Sequence, residues 1–329
     1  MGVLFRCKKE DVYICGNGEQ KWVNTSLNLW KCLYIKAFRD GRSWFNTSHK
    51  PPSDLPYRNM NMDNRIVHIL WTGGLDSTYR MVELSRKKCV IQPHYVIVNR
   101  KNIMNELKAI HEITAILKSD KRTIAEIRPV ETFLKCDLED YPDIQSAWEI
   151  LHERKDFKSQ QYPLLTRYAR QKKLKLEMGI QFSKGGTVAK VVNQSYLVDC
   201  PDDDEVMMID PEKGSHEWAS YTLFQDFRFP KSLYHKTKRE EIEELKRLGY
   251  DKVLKKVWTC FRPVLGMPCG HCFACQSAIY EGAGELIPIV GYMLGSIRLF
   301  LNNILTHAKN VLKRILPQRV YNVLRRILR

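Results

Sequence analysis

The sequence predicts an α/β protein: a parallel sheet with helices on both faces. Three observations point there. Apolar runs of strand length alternate with helical segments from Ile66 to Ile127, and such alternation packs as a parallel sheet wrapped by helices. The first run, Ile66-Val67-His68-Ile69-Leu70-Trp71, passes through a glycine turn, Thr72-Gly73-Gly74-Leu75-Asp76-Ser77-Thr78, into a helical segment over Thr78 to Lys88. A chain of 329 residues can bury one large core plus small appendages, or two domains.

Residues 1–64 read as a small leading module, a hairpin and a helix against the main sheet. Within it Leu27 to Phe38 suits a helix, and Pro51-Pro52-Ser53-Asp54-Leu55-Pro56 a linker. Cys7, Cys15 and Cys32 lack tight ligand spacing and read as buried or free thiols rather than a second metal site.

Beyond Ile66–Trp71, Val90 to Val98 is the next strand, with Pro93 favouring an edge or a bulge. Glu106 to Leu117 has helical spacing, and Ile124 to Ile127 is a short strand. Asp143–Arg154 and Leu164–Leu176 read as helices, with Lys172, Lys173 and Lys175 a solvated face rather than a nucleic-acid contact. Gly185-Gly186 breaks the chain, and Val188 to Val198 reads as a strand. Pro201-Asp202-Asp203-Asp204-Glu205 is an acidic turn without EF-hand spacing. Thr237 to Leu248 is a helix, capped by Thr237 with Glu240 three residues on and closed by Gly249.

The glycine turn suits an anion. Two glycines let the backbone approach a ligand closely. The free N–H groups of the first helical turn then face it, with the positive end of the helix dipole behind them. Thr72, Ser77 and Thr78 add hydroxyls, and Asp76 a carboxylate for the magnesium of a nucleotide. The Walker pattern is absent, because no Lys-Ser/Thr follows the second glycine. The bland alternative is a strand-to-helix turn that happens to be rich in glycine and hydroxyls. The turn resembles the pyrophosphate loop of the N-type ATP pyrophosphatases, Ser-Gly-Gly-x-Asp-Ser-Ser/Thr, with threonine in the first place.

The second signal is Cys260, then eight residues, then Cys269-Gly270-His271-Cys272-Phe273-Ala274-Cys275. Four thiolates close a tetrahedron around zinc and leave no open position, so such a site is structural. A redox pair or a cluster is the alternative reading of these cysteines, and His271 replacing one sulfur is another.

Together the two signals resemble the 7-cyano-7-deazaguanine synthase family, the queuosine-pathway ligases. That family joins a pyrophosphate loop to a Cys-x8-Cys-Gly-x-Cys-x-x-Cys zinc site. The lead-in Lys238-Arg239-Glu240-Glu241-Ile242, Leu248-Gly249 and Trp258-Thr259-Cys260-Phe261 is similar as well. The resemblance covers residues 65–280 and implies an adenine nucleotide alpha hydrolase-like, Rossmann-type fold with a zinc knuckle near its end. Its implied activity is ATP-dependent carbon–nitrogen ligation: a carboxylate on a small molecule is activated, ammonia attacks, and an amide or nitrile results. The implied cofactors are ATP, Mg2+ and Zn2+. Thr72, Gly73, Gly74, Leu75, Asp76, Ser77 and Thr78 would hold the nucleotide, with Asp76 and Ser77 catalytic, and Cys260, Cys269, Cys272 and Cys275 would hold zinc. Two departures mark a divergent member. Val98-Asn99-Arg100-Lys101-Asn102 stands where the family reads Phe-Asp-Tyr-Gly-Gln, and residues 180–226 lack its Gly-Tyr-Pro-Asp-Cys-Arg segment. Lys184 and Lys190 are candidates to reach the phosphates, against solvated loop lysines. A tRNA-modifying ATP pyrophosphatase and a non-catalytic nucleotide sensor are the competing readings.

The net charge of +16 invites an acidic partner, and half of it lies in residues 286–329, which hold eight bases and no Asp or Glu. Apolar residues recur there at helical spacing, and after Pro317 the pattern resumes. This tail, residues 281–329, reads as a basic amphipathic helix pair for an anionic membrane surface, or as a helix covering the main domain or a partner. No run of eighteen uncharged apolar residues exists, so no spanning helix is expected. The start lacks a signal-peptide pattern and the cysteines are metal-like, so the expected location is cytoplasmic, peripheral at the inner face of the membrane.

Overall fold

The computed structural model describes residues 3–6, 11–14, 20–23, 65–98, 102–155, 157–181 and 188–315. Leu27–Phe38, Pro51–Pro56, Cys7, Cys15, Cys32, Lys184, Gly185-Gly186 and residues 316–329 lie outside these. The chain divides into two compact units, Met1–Trp258 and Thr259–Arg329.

In the first unit β1 (Val3–Arg6), β2 (Asp11–Ile14) and β3 (Gln20–Val23) form an antiparallel sheet of their own. The main sheet has eight strands: β4 (Ile66–Leu70), β5 (Val90–Ile97), β6 (Glu126–Ile127), β7 (Glu131–Leu134), β8 (Leu176–Met178), β9 (Leu197–Cys200), β10 (Asp203–Ile209) and β11 (Phe227–Pro230). Its order is β6-β5-β4-β8-β11-β10-β9, with β7 also on β5. Every pairing from β6 and β7 through β11 is parallel, and β10 is antiparallel to both β11 and β9. The sheet is thus mixed rather than wholly parallel. For β9 and β10 the physical reason is the short Pro201-Asp202 turn: a parallel crossover needs a dozen or more residues, so a tight turn gives a hairpin. Asp203 and Glu205 belong to a strand, where Asp203 pairs with Arg65 at 2.6 Å and Glu205 with Arg80 at 3.2 Å.

The flanking helices of this unit are α1 (Leu75–Ser85), α2 (Ile103–Ser119), α3 (Pro142–Lys155), α4 (Gln161–Lys172), α5 (Pro211–Ser215), α6 (Trp218–Phe224), α7 (Lys231–Tyr234), α8 (Lys238–Arg247) and α9 (Asp251–Leu254). α8 carries the expected capping box, Thr237 with Glu240, and Gly249 follows it at φ +76°.

Three expectations are corrected. Pro93 lies inside the sheet, not at an edge. β6 pairs with Val90 and Ile91 and β7 with His94 to Ile97, so the proline falls in the gap between two short neighbours, where no donor is missed. Leu176 ends no helix: Lys173 closes α4 in the left-handed region, φ +54°, and Leu176–Met178 runs buried between β4 and β11. Within Val188–Val198 the chain makes a turn and then a 3-10 turn at Gln194–Tyr196, and only Leu197 and Val198 belong to a strand, β9.

The second unit holds the four cysteines, α10 (Phe273–Tyr280) and α11 (Ile289–Ile315). A tight hairpin over Val264–Met267 precedes the cysteine knuckle, with Leu265 at φ +47° and Gly266 at φ +75°, the pair of positive angles that a two-residue hairpin turn requires. Despite the interruption at Arg298, Ile289–His307 is long and apolar enough to cross a membrane, at a mean hydropathy of 1.2. Little of it is buried.

Candidate functional site

The glycine turn sits where β4 ends and α1 begins, at the carboxyl edge of the parallel strands. The helix starts at Leu75, three residues earlier than the apolar spacing suggests, with Gly74 as its N-cap. Buried Leu75, Tyr79 and Val82 explain the earlier start, since they continue the core-facing stripe back into the turn. The first helical hydrogen bond runs from Thr78 N to Gly74 O at 3.0 Å. The N–H groups of Leu75, Asp76 and Ser77 therefore have no carbonyl within the helix.

Neighbouring elements clamp the turn. Gly73 has φ +73°, and a Cβ there would lie 2.8 Å from Ala109 Cβ of α2. Trp258 N donates to Gly73 O at 2.8 Å. At the end of β8, a Cβ on Gly179 would meet Ser77 N at 2.9 Å and Ser77 Cα at 3.0 Å. No side chain fits between β8 and the helix start.

The seven turn residues are not equivalent. Thr72 is exposed, Gly74 and Asp76 are half-buried, and Leu75 and Ser77 are buried. Ser77 Oγ donates to Gly74 O at 3.4 Å. Thr78 is fully buried, and its hydroxyl accepts from Trp71 Nε1 at 3.0 Å. That hydroxyl ties α1 to β4 rather than facing the turn.

Spacing alone did not identify the charged partners. Lys238, the first residue of α8, places Nζ 2.7 Å from Asp76 Oδ1. Glu241, one turn on, is fully buried and accepts from Gln181 Nε2 at 2.6 Å. Burial first, and then the charge of Asp76, push the Glu241 carboxyl well above the usual range, against the opposing pull of Lys238. The sequence signal for Lys238 was a cation in the first turn of a helix, where the dipole disfavours it unless an anion faces it. Behind the turn, Arg80 of α1 is buried and grips Glu177 of β8 through Nε at 2.7 Å and Nη2 at 3.1 Å. Lys190 is exposed.

A cleft opens beside the turn along the carboxyl ends of β4, β5 and β8. Thr72 and Ser77 of the turn are part of its lining. Trp71, Tyr95, Tyr162, Leu165 and Met178 give it apolar and aromatic walls, with His94, Glu106 and Gln161 as polar groups. Glu106 is buried, takes a hydrogen bond from Tyr95 Oη, and accepts from Asn102 Nδ2 at 2.5 Å. Burial, followed by the charge of Asp76, pushes the Tyr162 phenol up, which keeps it neutral.

In the second unit Cys260, Cys269, Cys272 and Cys275 are all buried, with their four Sγ atoms within 4.8 Å of one another. The Cys260 and Cys272 sulfurs are 3.8 Å apart, close to the edge of a tetrahedron with metal–sulfur bonds of about 2.3 Å. Backbone N–H groups point at the sulfurs: Arg262 N and Cys269 N at Cys260 Sγ, both at 3.3 Å, and Cys272 N at Cys269 Sγ at 3.3 Å. Such donors stabilise thiolate. None of the four is in a disulfide. The group can hold a metal such as zinc. His271 is outside it: Nε2 lies 2.8 Å from Ser296 Oγ and 3.1 Å from Tyr292 O.

No protein-family model matches the chain, and no curated protein matches it.

Proposed function

We propose that the protein is an ATP-dependent carbon–nitrogen ligase, similar to the 7-cyano-7-deazaguanine synthases, that activates a carboxylate on a small molecule for attack by ammonia. The observation that carries this reading is the cleft. Its lining takes in Thr72 and Ser77 of the anion-suited turn and continues into aromatic and apolar side chains. A phosphate chain suits the first part and a flat heterocycle the second. The aromatic and apolar walls favour a small molecule over tRNA.

In this reading Gly73, Gly74 and the N–H groups of Leu75, Asp76 and Ser77 face the phosphates. Asp76 would hold magnesium, which neutralises phosphate charge when bound. Lys238 lies close enough to Asp76 to share the same phosphates. The carboxylate oxygen attacks the α-phosphorus, pyrophosphate leaves, and ammonia then displaces AMP from the acyl carbon. Positioning and charge neutralisation supply most of the rate, and no nucleophilic side chain is required. The four cysteines would hold zinc as a structural clasp, since four sulfurs leave no open position.

The test is incubation with ATP, magnesium, ammonia and 7-carboxy-7-deazaguanine, followed by mass spectrometry. Amide or nitrile product is expected, together with stoichiometric zinc by elemental analysis. No ATP consumption with that or any other carboxylate would remove the ligase reading. Absence of zinc would remove the resemblance that suggests the substrate class.

A further inference from the structure

The first turns of α11 are built onto the cysteine knuckle. Gly295 approaches so closely that a Cβ would lie 2.0 Å from Cys269 O, and one on Gly291 would lie 2.3 Å from Pro268 O. His271 bonds to Ser296 Oγ, and Arg298 donates to Arg262 O at 3.0 Å and Pro263 O at 3.2 Å. At 3.6 residues per turn, Gly291, Gly295 and Arg298 share one face of the helix. Ile289, Met293, Ile297, Phe300 and Ile304 fall on the opposite face, and each is about half exposed or more, Phe300 at 63%. The knuckle thus fixes one side of the helix and leaves an apolar stripe on the other.

We infer that α11 is a membrane-docking element that lies in the plane of an anionic lipid surface, held there by the four-cysteine knuckle. Three observations choose this occupant. The exposed stripe runs from Ile289 to Ile304 on a helix of 27 residues, which suits a bilayer interface rather than a small pocket. Residues 286–329 hold eight bases and no acid, a charge excess that complements anionic headgroups and repels a second copy of itself. Crossing is disfavoured although Ile289–His307 spans about 28 Å. The face from Gly291 to Arg298 is covered by polar knuckle backbone, which hydrocarbon would not accommodate.

The experiment is flotation of the full chain with phosphatidylcholine vesicles and with vesicles containing phosphatidylglycerol. Binding to the anionic vesicles alone is expected, falling at least about tenfold in high salt. The variant Ile297→Glu, Phe300→Glu, Ile304→Glu should lose binding by at least about tenfold while keeping its bound zinc and its thermal unfolding midpoint. Failure to float with anionic vesicles, or equal flotation of the variant, overturns the proposal. So does resistance of the bound protein to alkaline carbonate, which would mean a spanning helix. A dimer in light scattering that the variant converts to monomer, with no vesicle binding by either, assigns the stripe to a second copy instead. ATP turnover is measured alongside, so a failed membrane result does not count against the ligase reading.

Discussion

Lys238 Nζ lies 2.7 Å from Asp76 Oδ1, joining the first turn of α8 to the first turn of α1 across 162 residues of sequence. Asp76 lies in the first turn of α1 and Lys238 in the first turn of α8.

Lys238→Met removes the ammonium and keeps most of the aliphatic stem. ATP turnover should fall by about 100-fold or more, the scale of losing one preorganised charge at developing phosphate charge. The unfolding midpoint should shift by a few degrees at most, because the pair is only partly shielded from solvent. Steady-state kinetics and a thermal scan on the same sample check both halves. Unchanged turnover would mean that Lys238 does no more than pair with Asp76.

Gly73 has φ +73° and stands against α2. Gly73→Ala forces a side chain into the left-handed region and brings its Cβ against Ala109, at a cost of about 1–3 kcal/mol. Nucleotide affinity should fall with stability, since the strain is relieved by moving the turn. Calorimetric ATP titration beside denaturant unfolding reads both, and an alanine variant that binds and melts like the parent would show that the turn tolerates a side chain.

The Arg80–Glu177 pair is buried under the turn, with Glu83 and Glu205 also on Arg80. Arg80→Met removes the close cation of Glu177, leaving it Arg65 at 3.9 Å, and should cost about 3–5 kcal/mol. Removing both charges with Arg80→Met, Glu177→Met should recover a large part of that loss. Urea unfolding of the single and double variants measures the coupling, and equal losses in the two would contradict the assigned pairing.

His94 of β5 is buried, with Nε2 2.8 Å from His68 Nδ1 and Nδ1 2.8 Å from Tyr168 Oη. Burial, then the nearby His68 and Lys172, hold it down at about 3. The unfolded imidazole titrates near about 6.5, so between these values the unfolded chain takes up a proton that the folded chain refuses. The stabilisation is complete above about pH 6.5 and is lost as pH falls toward 3, by at most about 1.4 kcal/mol per pH unit. In His94→Gln, stability should fall less steeply with acid than in the parent. Parallel curves of midpoint against pH would show that His94 is not the group responsible.

How far the sequence foretold this arrangement depended on whether a feature was local. The glycine turn, the Thr237–Glu240 cap and the four-cysteine spacing are set within a few residues, and each was readable before the fold was known. Strand β8 was not, because Leu176-Glu177-Met178 offers three residues with a carboxylate in the middle. The reason Glu177 can be buried there is Arg80, 97 residues away. Pro93 misled for a related reason: its tolerance depends on a break between two other strands. Lys238 lay inside a segment whose helical character was plain, but its charge acquires meaning only when α8 is brought against α1. Glu241 and Gln181 likewise became part of the site only through packing.

The central claim is that the turn from Thr72 to Thr78 presents the α-phosphorus of ATP to a carboxylate. The most direct measurement is 31P NMR of the nucleotide products, with ammonia and 7-carboxy-7-deazaguanine present and absent. The account predicts AMP and pyrophosphate, formed in step with amide and only when the carboxylate is supplied. ADP and inorganic phosphate, or AMP released at the same rate without any carboxylate, would contradict it.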